Sequence, residues 1–272
     1  MRFDWISLTT DYGLDDGFVA SCKGVIGRIA PAARTVDVTH HVPPQDVRRG
    51  AATLAQTVAY LPPAVHLAVV DPGVGTGRRG LAVVAADGML VGPDNGLLVQ
   101  AAEVLGGIES VHELVDRAYW LPEVSTTFHG RDVFAPVTAH LATGVPADKL
   151  GPEVDPATLV RLPTPETRVN AGKMDTEVLA VDRFGNVQLA ATATDLASVG
   201  FDAPTRVRLR LDAVTVELTL GSTFNDVPEG ALLAFVDSAG LLAVAVNGGS
   251  ASDRLGVSIG ARVELEKALT GI

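Results

Sequence analysis

The stretch Asp71-Pro72-Gly73-Val74-Gly75-Thr76-Gly77-Arg78-Arg79 lies between two apolar runs, Val65 to Val70 and Leu81 to Ala86. Both flanks are short and rich in β-branched residues, so the pattern predicts two buried strands joined by a Pro/Gly loop. Asp71 then falls at a strand's end, where α/β sheets place reactive groups: the strand holds the carboxylate still while the loop opens a crevice. The glycines let backbone approach a ligand closely. Gly75-Thr76-Gly77-Arg78-Arg79-Gly80 also fits G-x-G-x-x-G letter for letter. A dinucleotide fingerprint must open a helix, however, and Leu81 to Ala86 runs as a strand into Asp87-Gly88, which excludes it. A plain hairpin loop, with Asp71 capping a turn and Arg78 solvated, is the competing reading of the same residues.

A chain of 272 residues forms one large or two medium domains, and 47% hydrophobic with 19% charged residues marks it as globular. The formal net charge of −11 disfavours a nucleic-acid partner, which clustered Lys and Arg would have to hold, and suits a cationic small ligand better. Cys22 is the only cysteine, so an internal disulfide is impossible and a reducing compartment is expected. Met1-Arg2-Phe3-Asp4-Trp5-Ile6 puts an acid where a signal peptide needs apolar residues, and no apolar run is long enough to span a membrane. The expected location is the cytoplasm.

Along the chain, Ile6 to Thr10 reads as a strand ending in Asp11-Tyr12-Gly13-Leu14-Asp15-Asp16-Gly17, with a helix from about Phe18 to Ile29 stopped by Pro31. Asp15 or Asp16 is a candidate N-cap. The three acids could instead ligate Mg²⁺ beside a phosphate, but no phosphate cradle accompanies them, so no metal is expected. Asp11 is best placed to hydrogen-bond a sugar diol. Arg34 to Thr39 is a further strand, followed by His40 and His41, which as neighbours cannot easily share one ion and read as loop residues. A helix from about Asp46 to Tyr60 leads to the Asp71 strand, and this alternation indicates a parallel or mixed sheet with helices on its faces. Asn95-Gly96 reads as a turn ahead of an apolar helix ending near Leu105. In Thr127-Phe128-His129-Gly130-Arg131-Asp132, His129 beside a glycine can point an imidazole into a crevice as Arg131-Asp132 starts a helix running to Leu141; a hydrogen-bonded structural His is the alternative.

Leu162 to Gly172 is a polar, Pro-punctuated link, beyond which helical patterns almost vanish. Val178 to Val181, Val187 to Ala191, Thr205 to Leu211, Val214 to Leu220, Ala231 to Val236, Leu241 to Val246 and Arg262 to Glu266 read as strands separated by turns. The expected organisation is an N-terminal α/β domain over 1–164, with a central mostly parallel sheet, and a small antiparallel β-barrel over 173–272. The turns Asp182 to Asn186 and Asn247 to Ser250 suit ordinary hairpins.

Taken in order, Leu8-Thr9-Thr10-Asp11-Tyr12-Gly13, Cys22-Lys23-Gly24, Asp71-Pro72-Gly73-Val74-Gly75-Thr76, Pro93-Asp94-Asn95-Gly96-Leu97-Leu98, Thr127-Phe128-His129-Gly130-Arg131-Asp132 and Phe184-Gly185-Asn186 span nearly the whole chain. Together they resemble the superfamily of S-adenosyl-L-methionine (SAM) hydrolases, fluorinases and chlorinases. The resemblance implies the two-domain fold, no cofactor, and a homotrimer with sites between one subunit's N-terminal domain and its neighbour's barrel. It also implies attack on the ribose 5′ carbon of SAM with expulsion of L-methionine.

The hydrolase branch is similar to this chain at Asp71, Arg78 and His129, an Asp-Arg-His triad acting on water to give adenosine. Fluorinase is similar to it less closely, carrying Tyr at the positions of Asp71 and His129, while Gln45 and Ala239 replace a pocket Trp and an Arg of that pattern. By motif, Asp11 is implied to bind the ribose, Asp182 and Ser238 the methionine head group, and Asn186 with backbone near Val246 and Gly248 the adenine. Phe184 and Phe224 are implied to sandwich the purine. Asp16 is implied to add a contact to the amino-acid end, and Gly130 stands among the substrate-binding positions.

Sulfonium is a good leaving group, so the barrier lies in generating, placing and desolvating the nucleophile; hydroxide meeting a sulfonium neutralises charge, which an enclosed site favours. Arg78 cannot be the base because a guanidinium stays protonated. An arginine-paired carboxylate is a weak base, which makes His129 a candidate to take the proton directly or through water, with Asp71 the alternative. Two like charges about 4 Å apart repel by roughly 4 kcal/mol at an effective dielectric of about 20, which discriminates against chloride beside Asp71 but not against water. A chlorinase-like halogenase and a non-catalytic SAM or adenosine binder are the alternatives.

Overall fold

In the computed structural model, which describes residues 2–170, 172–211 and 214–268, the chain divides into two units, one through Leu162 and one from Pro163. Met1, Ala171 inside the expected link, and residues 269–272 at the end of the expected barrel lie outside the described residues.

The alternation of the first unit becomes β1 Trp5–Thr10, α1 Phe18–Ile29, β2 Arg34–Thr39, α2 Val47–Val58 and β3 Ala64–Val69. Pro31 cannot continue α1, which ends just before it. Asp46 caps α2, accepting the Arg49 N–H at 2.9 Å. Neither Asp15 nor Asp16 caps α1. Gly17 occupies that position without a side-chain cap, setting both acids back from the first turn and leaving them exposed.

β4 Gly80–Ala85, β5 Gly88–Pro93, α3 Val99–Val104, β6 Ile108–Glu113 and α4 Ala135–Thr143 complete the unit. The strand order is β2-β1-β3-β5-β4-β6, with β4 alone antiparallel to its neighbours. β3 and β4 therefore do not form a hairpin. The tight turn after Ala85 folds β5 back onto the free edge of β3, and the Asp71 to Arg79 loop must cross over it. β6 has no counterpart in the sequence reading because it is an edge strand whose residues are only partly buried.

α1 and α4 pack on one face with Ile6, Leu8, Leu67 and Phe134, and α2 and α3 on the other with Val70, Leu81, Val83 and Leu90. From β1 the chain crosses to β2 on one side and then returns past β1 to β3, so the connections diverge between β1 and β3. Such a switch point opens a crevice at the C-terminal strand ends. Thr10 is in register with Val69, so Asp11 and the Val70-Asp71 segment leave adjacent strand ends.

The second unit comprises β7 Arg168–Asn170, β8 Lys173–Val181, β9 Val187–Thr192, α5 Ala193–Ser198, β10 Thr205–Leu211, β11 Val214–Leu220, β12 Leu232–Val236, β13 Leu241–Val246, α6 Ala251–Leu255 and β14 Arg262–Lys267. β14 pairs with both β10 and β8, closing a seven-stranded barrel with β7 added beside β8. Closure leaves no long unpaired edge to recruit another chain. The pairings are antiparallel except β11 with β12, which run parallel over a short register. Alternation sends Met174, Val178, Leu209, Val244 and Leu265 inward. On the other side Lys173, Arg208 and Arg210 meet Glu264 and Glu266 across strands. Among the described residues no helix is long and apolar enough to cross a membrane.

His66, on β3, is buried with Nδ1 2.7 Å from Ser7 Oγ on β1. Burial pushes its pKa down to about 4, so the folded protein keeps it neutral where the unfolded chain takes up a proton. Stability from this group is therefore complete above about pH 6.5, the unfolded value, and is lost as pH falls toward the folded one, by about 3 kcal/mol at full extent. Urea unfolding at pH values across this interval should show that acid slope in the wild type and a shallower one in His66→Gln; equal slopes would exclude His66 as its source.

Candidate active site

β3 delivers Asp71 to the rim of the sheet, and the Asn95-Gly96 turn fixes it there. Asn95 Nδ2 donates to Val70 O at 2.8 Å while its Oδ1 accepts the Leu97 N–H at 3.2 Å. Arg78 Nε lies 3.0 and 3.1 Å from the two oxygens of Asp71, and its Nη2 lies 2.5 Å from Oδ2. The same Nη2 stands 3.0 Å from His129 Nδ1. Arg78 and Asp71 side chains retain only 13% and 6% of their exposure, and the guanidinium stacks 5.0 Å from the Phe134 ring centroid. The hairpin reading with a solvated Arg78 is thereby overturned. Arg79, the last loop residue before β4, has other partners: it donates to Asp94 Oδ2 at 2.8 and 2.6 Å and to Thr158 O at 2.8 Å. Arg79 is thus a structural clamp.

His129 reaches the cluster on a segment ordered by its own polar contacts. Gly130–Phe134 forms a single wide turn, with the Ala135 N–H bonded to Gly130 O, before α4 begins; the helix expected to start at Arg131 begins instead with this π-type turn. Asp132 is fully buried and accepts from Arg131 Nε at 2.6 Å and from Ser125 N–H at 2.9 Å. Burial opposes its charge, but those hydrogen bonds outweigh burial and hold its carboxyl below the usual range. Gly75, at φ +76°, lays its backbone against the Thr126 carbonyl, where a Cβ would collide. The Asp71 loop and the His129 loop are therefore packed on one another. Burial and then the Arg78 charge push the His129 pKa down, opposed by Asp71 and Asp132.

Tyr12 forms another wall of this site. A side chain at Gly130 would overlap the Tyr12 hydroxyl, and the Tyr12 ring packs 5.6 Å from Phe128 and 5.9 Å from Phe18. Burial, followed by the charges of Cys22, Asp11 and Asp71, pushes the Tyr12 pKa well up, so it stays a neutral phenol. Sequence reasoning gave Tyr12 no role; the available signal was an aromatic between Asp11 and Gly13 at a strand end. Asp11 Oδ2 accepts the Gln45 N–H at 2.9 Å, and Gln45 holds φ +66°, the only positive φ outside glycine among the described residues. Strain of this kind costs about 1–3 kcal/mol and gathers at functional sites. Asp16 stands exposed in the same loop as Asp11. His40, expected in a loop, is buried, with Nδ1 2.8 Å from Thr10 Oγ1 and Nε2 3.1 Å from Asp37.

The barrel carries its own cleft of about 600 Å³, lined by Phe184, Asn186, Phe224, Val246, Gly248 and Ser250 among others. Phe184 and Phe224 are 77% and 40% exposed, which is costly for aromatic rings unless a ligand covers them. The Ser252 N–H donates to Gly185 O at 2.9 Å, tying the two loops of the cleft together. Asp182 caps its own turn: Oδ1 accepts from Phe184 and Asn186 N–H at 2.8 and 2.9 Å, and Oδ2 from Asn186 Nδ2 at 2.8 Å. Ser238 is exposed in the β12–β13 turn, at the other end of β13 from Val246, and does not line this cleft. The structure thus gathers Asp71, Arg78, His129 and Gly130 in the first unit, and Phe184, Asn186, Phe224, Val246 and Gly248 in the second.

Fold and site together define an α/β enzyme with an ionic cluster at its strand ends and a companion barrel presenting an aromatic cleft. Residues 6–151 match the SAM hydroxide adenosyltransferase N-terminal domain and residues 176–264 the C-terminal domain of that family. The chain belongs to the SAM hydroxide adenosyltransferase family. It is 58% identical over 262 residues, 96% of this chain and 97% of the relative, to an (R)-S-adenosyl-L-methionine hydrolase of Salinispora tropica. A fluorinase of an Actinoplanes species is 30% identical over 291 residues, covering 97% of each chain. Among solved structures, an uncharacterized conserved protein from Thermotoga maritima superposes with TM-score 0.91 at 37% identity, covering 96% of this chain and all of that one.

The contact between Tyr12 and Gly130 makes a direct test of the site's packing. Gly130→Ala should destabilise the protein by about 1–3 kcal/mol through overpacking. Adding Tyr12→Phe should recover part of that loss, giving a coupling of about 0.5 kcal/mol or more in a double-mutant cycle followed by urea unfolding. Strict additivity would show that the two do not touch.

Proposed function

We propose that this protein hydrolyses S-adenosyl-L-methionine to adenosine and L-methionine by attack of water on the ribose 5′ carbon. The observation that carries the reading is the Arg78 guanidinium bound at once to the Asp71 carboxylate and to His129 Nδ1. It is joined by the 58% identity to a relative named as (R)-S-adenosyl-L-methionine hydrolase.

In the proposed reaction Asp71 faces a sulfonium and a water molecule. Its charge attracts the first, orients the second, and repels an anionic nucleophile. Attack forms the bond from oxygen to C5′ while the bond from C5′ to sulfur breaks, its electron pair leaving with methionine as a neutral thioether. The sulfonium charge is dispersed over sulfur, carbon and the attacking oxygen in the transition state and leaves with the proton that the water gives up, so exclusion of bulk water favours the step. Arg78 supplies N–H donors beside the carboxylate and holds its orientation, a positioning that contributes to the rate in its own right.

Asp11 is assigned to the ribose hydroxyls, with one oxygen already fixed by Gln45 N–H. Phe184 and Phe224 are assigned to the faces of the adenine, and Asn186 with the backbone at Val246 and Gly248 to its edge, in line with their shared cleft. Asp16, Asp182 and Ser238 are assigned to the methionine end. Asp182 would serve it with lone pairs left over from its turn. We further propose a homotrimer in which the barrel cleft of one copy meets the triad of a neighbour, and a cytoplasmic location, which suits the buried, unpaired Cys22.

Incubation with SAM in ¹⁸O-labelled water should give adenosine labelled at its 5′ oxygen. Asp71→Asn, which keeps shape and removes charge, should lower kcat by about 10²–10⁴ while calorimetry shows SAM binding little changed. Unlabelled adenosine, or a variant as fast as the wild type, would refute the assignment.

A further inference from the structure

The Arg78 bridge fixes the protonation of His129. Its Nη2 carries two hydrogens and no lone pair, so it can only donate. One hydrogen is committed to Asp71 Oδ2 at 2.5 Å, and the other faces His129 Nδ1 at 3.0 Å. Nδ1 must therefore accept. A neutral imidazole that accepts at Nδ1 carries its hydrogen on Nε2. An imidazolium would set an N–H of its own against that of Arg78. The charged and titratable groups acting on this ring are Arg78 and Asp71 from the loop after β3 and Asp132 from the wide turn, with the neutral Tyr12 phenol against the adjacent Gly130.

We infer that His129 is a hydrogen-bond donor to the nucleophile and not the base that deprotonates it. This rests on the hydrolase reading above. The lone pair that a base would need at Nδ1 is taken by Arg78, and Nε2 already holds its proton. In the reaction the water oxygen accepts the Nε2–H hydrogen bond and attacks C5′. As the oxygen–C5′ bond forms, the water becomes a protonated alcohol, acidic enough for even the arginine-paired Asp71 carboxylate to take its proton and pass it to solvent. Methionine leaves with the sulfur electron pair, and His129 ends the cycle as it began. Arg78 thus has a task besides pairing with Asp71: it selects the tautomer of His129, and so divides donor from acceptor between the two groups it joins.

The tautomer is measurable without turnover. Nitrogen-15 NMR of histidine-labelled protein at pH 7.5, with the His129 signals assigned by their loss in His129→Gln, should show a bare Nδ1 and a protonated Nε2. A protonated Nδ1 overturns the inference. Kinetics supply the second arm. In His129→Gln the amide nitrogen reaches the place of Nε2 and can still donate, so kcat should stay within about tenfold of wild type, with the pH profile retained. His129→Asn and His129→Ala, which place no donor there, should each lose about 10²-fold or more. If His129 were the base, Gln would fall as far as Ala and the corresponding limb of the pH profile would vanish. Failure of the wild type to consume SAM would count against the hydrolase reading alone, because the NMR result stands apart from activity.

Discussion

The site is organised by one guanidinium serving two masters. Arg78 reaches Asp71 through Nε and Nη2 and His129 through Nη2, and its central carbon lies over the Phe134 ring. A planar, permanently charged fork of donors can do this; an ammonium, as a point charge, could not hold both partners in fixed directions. Each partner is thereby limited to a definite orientation, and His129 to one tautomer. The surrounding structure is arranged to keep that geometry rigid: Asn95 holds the backbone at Val70, Asp132 closes the His129 loop, and Gly75 lets the two loops meet.

The α/β topology explains why the cluster forms where it does. Divergence of the connections at β1 and β3 leaves a crevice at their C-terminal ends, and Asp11 and Asp71 emerge there side by side. The barrel contributes a cleft of its own with exposed aromatic faces suited to a planar heterocycle.

Much of this was legible in the sequence because local rules and the final fold agree. Strands such as Thr205–Leu211 and Val214–Leu220 alternate cleanly, and α1 is bounded by Pro31, so their limits follow from periodicity and chain-stopping residues. The edge strand β6 and the short β7 bury too little to leave a pattern. The insertion of β5 between β3 and β4 is a pairing choice made at long range, invisible to a local reading that sees two strands and a loop. Asp71 could be singled out from its place at a strand end. Spacing alone could not tell Arg78 from Arg79; the resemblance did, and the structure gives the two side chains different partners, Asp71 with His129 and Asp94. Tyr12 escaped because its importance lies in contact with Gly130, far away along the chain.

The central claim is that Asp71 steers a solvent molecule to C5′ and does not itself attack. The most direct measurement is the stereochemistry of the displacement, using SAM carrying deuterium in one configuration at C5′ and reading the configuration in the adenosine released. A single attack by water inverts that centre. Retention would mean two successive displacements through an ester to Asp71, and would contradict the account.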